Sequence, residues 1–165
     1  MPALIACGGS DDEPDNAAPA AKVGGVAADA DAKNGTEGAN AKPKPEAMGT
    51  EIAIGESQFG EIVFDGSNQA IYLFDKETSS KAECYADCAD AWPPVLTEGK
   101  PVAGDGVNQE LLGTTERDDG SAQVTYAGQP LYYYAHEEPG QVLCHNVSEF
   151  GGLWLVLNAA GNALP

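Results

Sequence analysis

AIYLFDKE at residues 70–77 and PLYYYAHE at residues 130–137 are two versions of one segment. At an offset of 60 residues Ile71 falls on Leu131, Tyr72 on Tyr132, Phe74 on Tyr134 and Glu77 on Glu137. The same offset places Cys84 on Cys144. An echo of aromatics, acid and cysteine at fixed spacing marks one structural unit used twice. Within the first copy, Ile71 and Leu73 point to one side of an extended chain, and Tyr72 and Phe74 to the other. A strand that is apolar on both faces is covered on both. The copies are unequal in one respect: the position equivalent to Cys88 is Ser148.

Turn chemistry organises the residues around each copy. FGEIVF at 59–64 is predicted as a strand, and the turn Asp65-Gly66-Ser67-Asn68 delivers it to the strand at 70–74. In the second unit, 114–117 and 121–126 pair across Asp118-Asp119-Gly120, and Ala127-Gly128-Gln129 leads on into 131–134. Short strands joined by such turns form antiparallel hairpins. AECYADCADA at 82–91 has helical propensity and is expected to form two to three turns. It ends at Trp92-Pro93-Pro94, because the residue before a proline is driven from the α region. LWLVL at 153–157 is a continuous apolar strand carrying Trp154, and 98–110 is a connector.

Composition divides the chain. All twelve Phe, Trp and Tyr residues lie at or after Phe59, whereas the first fifty residues hold thirteen alanines and no aromatic. Such a stretch cannot bury enough apolar surface to offset its chain entropy, so 8–49 is expected to be a disordered Ala/Gly/Pro/Asp-rich linker. It precedes a folded domain over 50–165, with unit one at about 52–97 and unit two at about 111–160. The net charge is −18, of which residues 51–165 carry −14 from eighteen acids and four bases. A surface this acidic repels phosphate backbones and anionic headgroups, which argues against nucleic acid and against membrane contact through the folded surface. At the N-terminus, Leu4-Ile5-Ala6-Cys7 resembles the bacterial lipobox, in which cleavage precedes a cysteine that receives the lipid. That resemblance implies lipidation of Cys7, a signal peptide over 1–7 whose beginning lies upstream, and attachment to the membrane by acyl chains.

The ordered motifs IYLFDKE, CYADCADAWPPVL, LLGTTERDDGSAQVTYAGQPLYYY, EEPGQ and EFGGLWLV, spread over about 52–160, resemble the secreted lipoprotein repeat family. That family is defined by a tyrosine followed five positions later by an aspartate. Here both positions carry glutamate: Glu77 follows Tyr72 and Glu137 follows Tyr132, each one methylene longer than aspartate. Trp92 and Trp154 complete the family-motif residues. The resemblance implies a location in the bacterial cell envelope, on the periplasmic face or outer membrane, and a paired-repeat fold with no reaction attached. The expected fold is therefore mainly β: two pseudo-repeated antiparallel hairpin or meander units, with a short helix near 82–91, behind a disordered tether.

Cys84, Cys88 and Cys144 lie in the domain, and in an oxidising compartment one pair is expected to bridge. On a helix Cys84 and Cys88 share a face about 6 Å apart, within disulfide range. The alternative, Cys84 with Cys144, joins equivalent points of the two units and closes the longer loop. Local proximity favours Cys84–Cys88, and either choice leaves one of the three over. A Cys3His set of Cys84, Cys88, Cys144 and His145, with His136 as a spare ligand, is the alternative, since thiolate and imidazole suit zinc or copper(I). Its spacing matches no standard metal motif, and no cofactor is expected. Nothing resembles a nucleophile elbow, a phosphate loop or an H-E-x-x-H helix, and His136 and His145 are the chain's two histidines. The expected function is a non-catalytic binding or interaction module, with an envelope protein or a glycan as partner.

Overall fold

The computed structural model describes residues 49–165. The readings of 1–7 as a signal segment bearing Cys7 and of 8–49 as a linker lie outside the described residues, Gly49 excepted. The described chain is mainly β. Its strands are β1 (Glu51–Ser57), β2 (Gly60–Asp65), β3 (Tyr72–Phe74), β4 (Leu96–Thr97), β5 (Val102–Ala103), β6 (Leu112–Glu116), β7 (Ala122–Tyr126), β8 (Gln129–Pro130), β9 (Val147–Glu149) and β10 (Gly152–Val156). One short helix, α1, covers Asp87–Ala91. The strands form three small sheets, ordered β2-β1-β5, β3-β10-β9 and β4-β7-β6, with β8 also on β7.

Each half opens with a hairpin, β1–β2 in the first and β6–β7 in the second. The Asp-Asp-Gly turn closes the second as its sequence requires. Arg117 N–H donates to the Ser121 carbonyl at 2.9 Å, and Gly120 adopts φ 81°, a conformation that penalises any side chain. The halves then exchange strands. β3 of the first half pairs with β10 of the second, with Trp154 opposite Phe74 and Val156 opposite Tyr72. Reciprocally, residues 131–135 of the second half run beside 91–95 of the first: Val95 N–H donates to Leu131 O, Tyr133 N–H to Pro93 O, and Ala135 N–H to Ala91 O, at 2.8 to 3.0 Å. The hairpins are exchanged too. Val63 N–H of β2 donates to Leu157 O, and Val124 N–H of β7 donates to Val95 O. At the centre, Tyr72 and Tyr132 trade both backbone hydrogen bonds at 2.9 Å. The molecule thus has an approximate two-fold axis between these tyrosines.

The repeated segment is covered on both sides, as its apolar residues at both parities require. Ile71, Tyr72, Leu73 and Phe74 are all buried. Ile71 and Leu73 join an aliphatic cluster with Val63, Val95, Val124, Leu131 and Leu157, drawn from both halves. Burial of each such side chain contributes about 1.5–3 kcal/mol. Tyr72 and Phe74 face the tryptophans on the other side.

The helix is shorter than expected, five residues rather than the ten of 82–91. Backbone groups in its first half are engaged elsewhere: Glu83 N–H donates to Glu77 at 2.6 Å, and the Cys84 carbonyl accepts from Arg117 at 2.8 Å. Ala86, at φ 51°, breaks the helical path between Cys84 and Cys88. Tertiary partners outbid local propensity here. Sequence patterning also passed over β1, β5 and β9, of which β5 lies in the 98–110 connector and pairs in parallel with β1.

Candidate functional site

Four residues separate tyrosine from glutamate within each copy, yet the two do not pair within a copy. The Tyr72 hydroxyl donates to Glu137 Oε1 at 2.7 Å, and the Tyr132 hydroxyl donates to Glu77 Oε1 at 2.6 Å. Each motif is completed by the other half. The glutamates sit just beyond their strands, where the turn Phe74 O to Glu77 N–H, and its equivalent Tyr134 O to Glu137 N–H, reverses the chain. Each Oε1 also receives a backbone N–H six residues downstream, Glu83 for Glu77 and Leu143 for Glu137. The carboxylates therefore join three things: the partner tyrosine, their own strand end, and the loop leading to Cys84 or Cys144. The longer glutamate arm spans this arrangement in both halves.

This chemistry is buried. Glu77 is 1% exposed and Glu137 8%, and among the described residues neither Oε2 has a hydrogen-bond partner. Burial pushes both carboxyls above the ordinary 4.5, against the opposing pull of their N–H and hydroxyl donors. Burial, then the adjoining carboxylate, pushes the Tyr72 and Tyr132 hydroxyls well above the usual phenol range. Tyr133 is raised in the same way, by burial and by Asp65, whose Oδ2 accepts its hydroxyl at 3.0 Å.

Trp92 and Trp154 lie flat on each other at the axis, ring centres 4.1 Å apart and planes within 2°. Tyr72 meets Trp92 edge-on at 5.3 Å, and Tyr132 meets Trp154 edge-on at 5.2 Å. Phe74 stacks on Trp154, and its counterpart Tyr134 tilts against Trp92. All six family-motif residues thus converge on one place. The Trp92 indole N–H donates to Glu149 Oε2 at 2.9 Å, while the Trp154 N–H is buried without an acceptor among the described residues.

Cys84 and Cys88 form a disulfide, Cα atoms 5.3 Å apart. This excludes the Cys84–Cys144 alternative and takes two thiolates from the Cys84, Cys88, Cys144 and His145 set. Among the described residues, no group of three or more His, Cys, Asp or Glu is placed to hold a metal. Cys144 is fully buried and is not a free thiol, contrary to the expectation of a leftover cysteine. His145 packs against Phe59, and its Nδ1 lies 3.3 Å from Val156 N. His136 is exposed beside Tyr134.

Two structural residues escaped the sequence reading. Arg117 is buried, donates to Gln123 Oε1 at 2.6 Å and to the Cys84 carbonyl, and lies 4.3 Å over the Tyr85 ring. Glu149 is the acceptor for Trp92. Arg117 is the chain's one arginine and one of four bases in an acidic domain, a signal that could have marked it. Glu149 has no local signal, because its partner is 57 residues away. A cavity of about 760 Å³ lined by Leu96, Thr97, Glu98 and the Gly120–Ala122 turn includes none of the motif residues. No helix among the described residues is long and apolar enough to cross a membrane.

Neither the curated proteins nor the solved structures contain a match to the chain. Residues 113–158, from β6 to just beyond β10, match the model of a family described as a secreted repeat of unknown function. This is the family to which the sequence motifs point, and the match covers the second half of the repeat domain.

Proposed function

We propose that this protein is a lipid-anchored module of the bacterial cell envelope that acts by binding or interaction rather than by catalysis. The observation that carries this reading is the match of 113–158 to a secreted repeat family. The lipobox-like Leu4-Ile5-Ala6-Cys7 supplies the anchor, and the acidic segment that follows it is the tether. The domain's chemistry supports a non-catalytic role. Tyr72, Tyr132, Glu77 and Glu137, the side chains that define the repeat, are spent on one another inside the core. What the domain offers to a partner is its surface, which belongs to a domain of net charge −14. An envelope protein or a glycan is the partner class in this reading, and the charge favours a partner with basic groups.

Cys7→Ala, made in a precursor with a complete signal segment ahead of Leu4, is expected to release the protein from the membrane fraction. Unchanged partitioning defeats the anchor. Co-sedimentation with isolated cell wall, and crosslinking in intact cells, report the partner. Turnover of a cell-wall substrate by the purified protein, rather than retention on it, defeats the non-catalytic reading.

A further inference from the structure

The aromatic rings of both halves form one continuous column. Phe74 lies on Trp154 with centres 4.3 Å apart, Trp154 lies on Trp92 at 4.1 Å, and Tyr134 leans on Trp92 at 4.9 Å. Two further tyrosines touch the column edge-on, Tyr72 at Trp92 and Tyr132 at Trp154. The interior of the column is shielded from the surface: both tryptophans, Tyr72 and Tyr132 are 0% exposed. Tyr134 is half-buried and connects the column with the surface.

Each buried phenol also ends on a base. Removing an electron turns a phenol into a strong acid. A tyrosine held away from water therefore gives up an electron readily only when a group already hydrogen-bonded to it takes the proton. A carboxylate within 2.6–2.7 Å meets that condition. The crossing supplies one carboxylate to each phenol, always from the other half. The stacked indoles connect the surface ring with the two phenols through an unbroken series of ring contacts.

We propose that the column is a one-electron relay, and that the protein serves as a stoichiometric sink for one-electron oxidants. The oxidants are of the organic peroxyl or high-valent metal complex class. The oxidant takes one electron at Tyr134, and the electron is replaced from Tyr72 through Trp92. The Tyr72 O–H bond breaks and its proton passes to Glu137 Oε1. The products are the reduced oxidant, a neutral tyrosyl radical and a protonated Glu137. Tyr132 and Glu77 perform the same step through Trp154. The inference uses only the geometry of the core and stands or falls separately from the lipid anchor and the partner.

The test uses the whole chain with ring-deuterated tyrosine and photogenerated tris(bipyridine)ruthenium(III) as oxidant, read by freeze-quench electron paramagnetic resonance. A neutral tyrosyl radical is expected in the parent protein. It is expected to be lost in Tyr72→Phe/Tyr132→Phe and replaced by an indole or surface radical. Glu77→Gln/Glu137→Gln keeps both phenols and removes the proton acceptors, and the same loss is expected there. Tyr134→Phe removes the entrance while leaving the crossing intact, and is expected to lower the radical yield. An unchanged tyrosyl signal in the glutamate variant, or an unchanged yield in Tyr134→Phe, overturns the relay even if the double phenylalanine variant does not fold.

Discussion

The two halves of the domain agree at their centre and differ at their edges. At the centre each tyrosine finds the other half's glutamate, each glutamate holds a backbone N–H six residues on, and each tryptophan lies against the other. At the edges the equivalence ends. The outer side of β1 is closed by the connector, through Gly104 N–H to Ile52 O at 2.7 Å and Ile54 N–H to Asp105 O at 2.8 Å. Its counterpart β6 pairs, among the described residues, with β7 alone. The first half carries the Cys84–Cys88 bridge where the second has Cys144 and Ser148. Residues that serve both halves are bound by the two-fold arrangement, because changing one leaves a buried group in the opposite half without its partner. Residues at the periphery serve one half and are free to diverge.

Replacement of the tryptophans puts the greatest strain on this equivalence. Trp92→Ala and Trp154→Ala are each expected to cost about 3–5 kcal/mol, since an aromatic at the axis leaves a cavity facing both halves. Urea unfolding should show one cooperative transition shifted by similar amounts. A variant that melts one half while the other persists would break the picture of a shared core.

Double-mutant cycles test the crossing itself. Tyr72→Phe and Tyr132→Phe should each lose about 1.5–3 kcal/mol, the range for a hydrogen bond to a charged group. Tyr72→Phe should couple to Glu137→Gln, and Tyr132→Phe to Glu77→Gln, by at least about 0.5 kcal/mol. Tyr72→Phe combined with Glu77→Gln, the pair within one motif, should come closer to additive. Strong coupling within the motif and none across it would contradict the exchange.

Cys84→Ser/Cys88→Ser tests the edge. Closing so short a loop is worth about 2 kcal/mol by chain entropy, so the double variant should stay folded with a lower unfolding midpoint. Loss of the fold would show that this bridge belongs to the centre after all.

The smallest effect is a slope. Because burial raises Glu77 and Glu137 in the folded state, their contribution is fully present below the unfolded value and is lost as pH rises through the folded one. Stability should therefore decline with pH above about 4.5, the ordinary carboxyl value. Glu77→Gln/Glu137→Gln should flatten that decline in a series of urea titrations. An unaltered slope would place the titration on other carboxylates.

Much of this architecture was legible in the residues. Apolar side chains at both parities of 71–74 required two covers, and the structure supplies an aliphatic and an aromatic one. Asp118-Asp119-Gly120 required a hairpin and closes one. The helix is shorter than the propensity of 82–91 implies, because propensity takes no account of Arg117 and Glu77 drawing on its backbone. The six motif residues are all legible in the sequence, yet nothing in their spacing discloses that they meet at a single site.

Composition, alternation and turn residues act between neighbours in the chain, and the sequence alone determined what depends on them: a repeated unit, its central doubly covered strand, its hairpins, and a carboxylate placed just past each strand. Partner choice does not depend on neighbours. Both copies carry the same donor and the same acceptor, so the residues permit Tyr72 to pair with Glu77 or with Glu137 equally well. The decision comes from the antiparallel meeting of Tyr72 with Tyr132, which carries each strand end, and the carboxylate just beyond it, to the other half's hydroxyl. Only the tertiary structure contains that meeting, because it is made by the docking of two units and by no local preference of either.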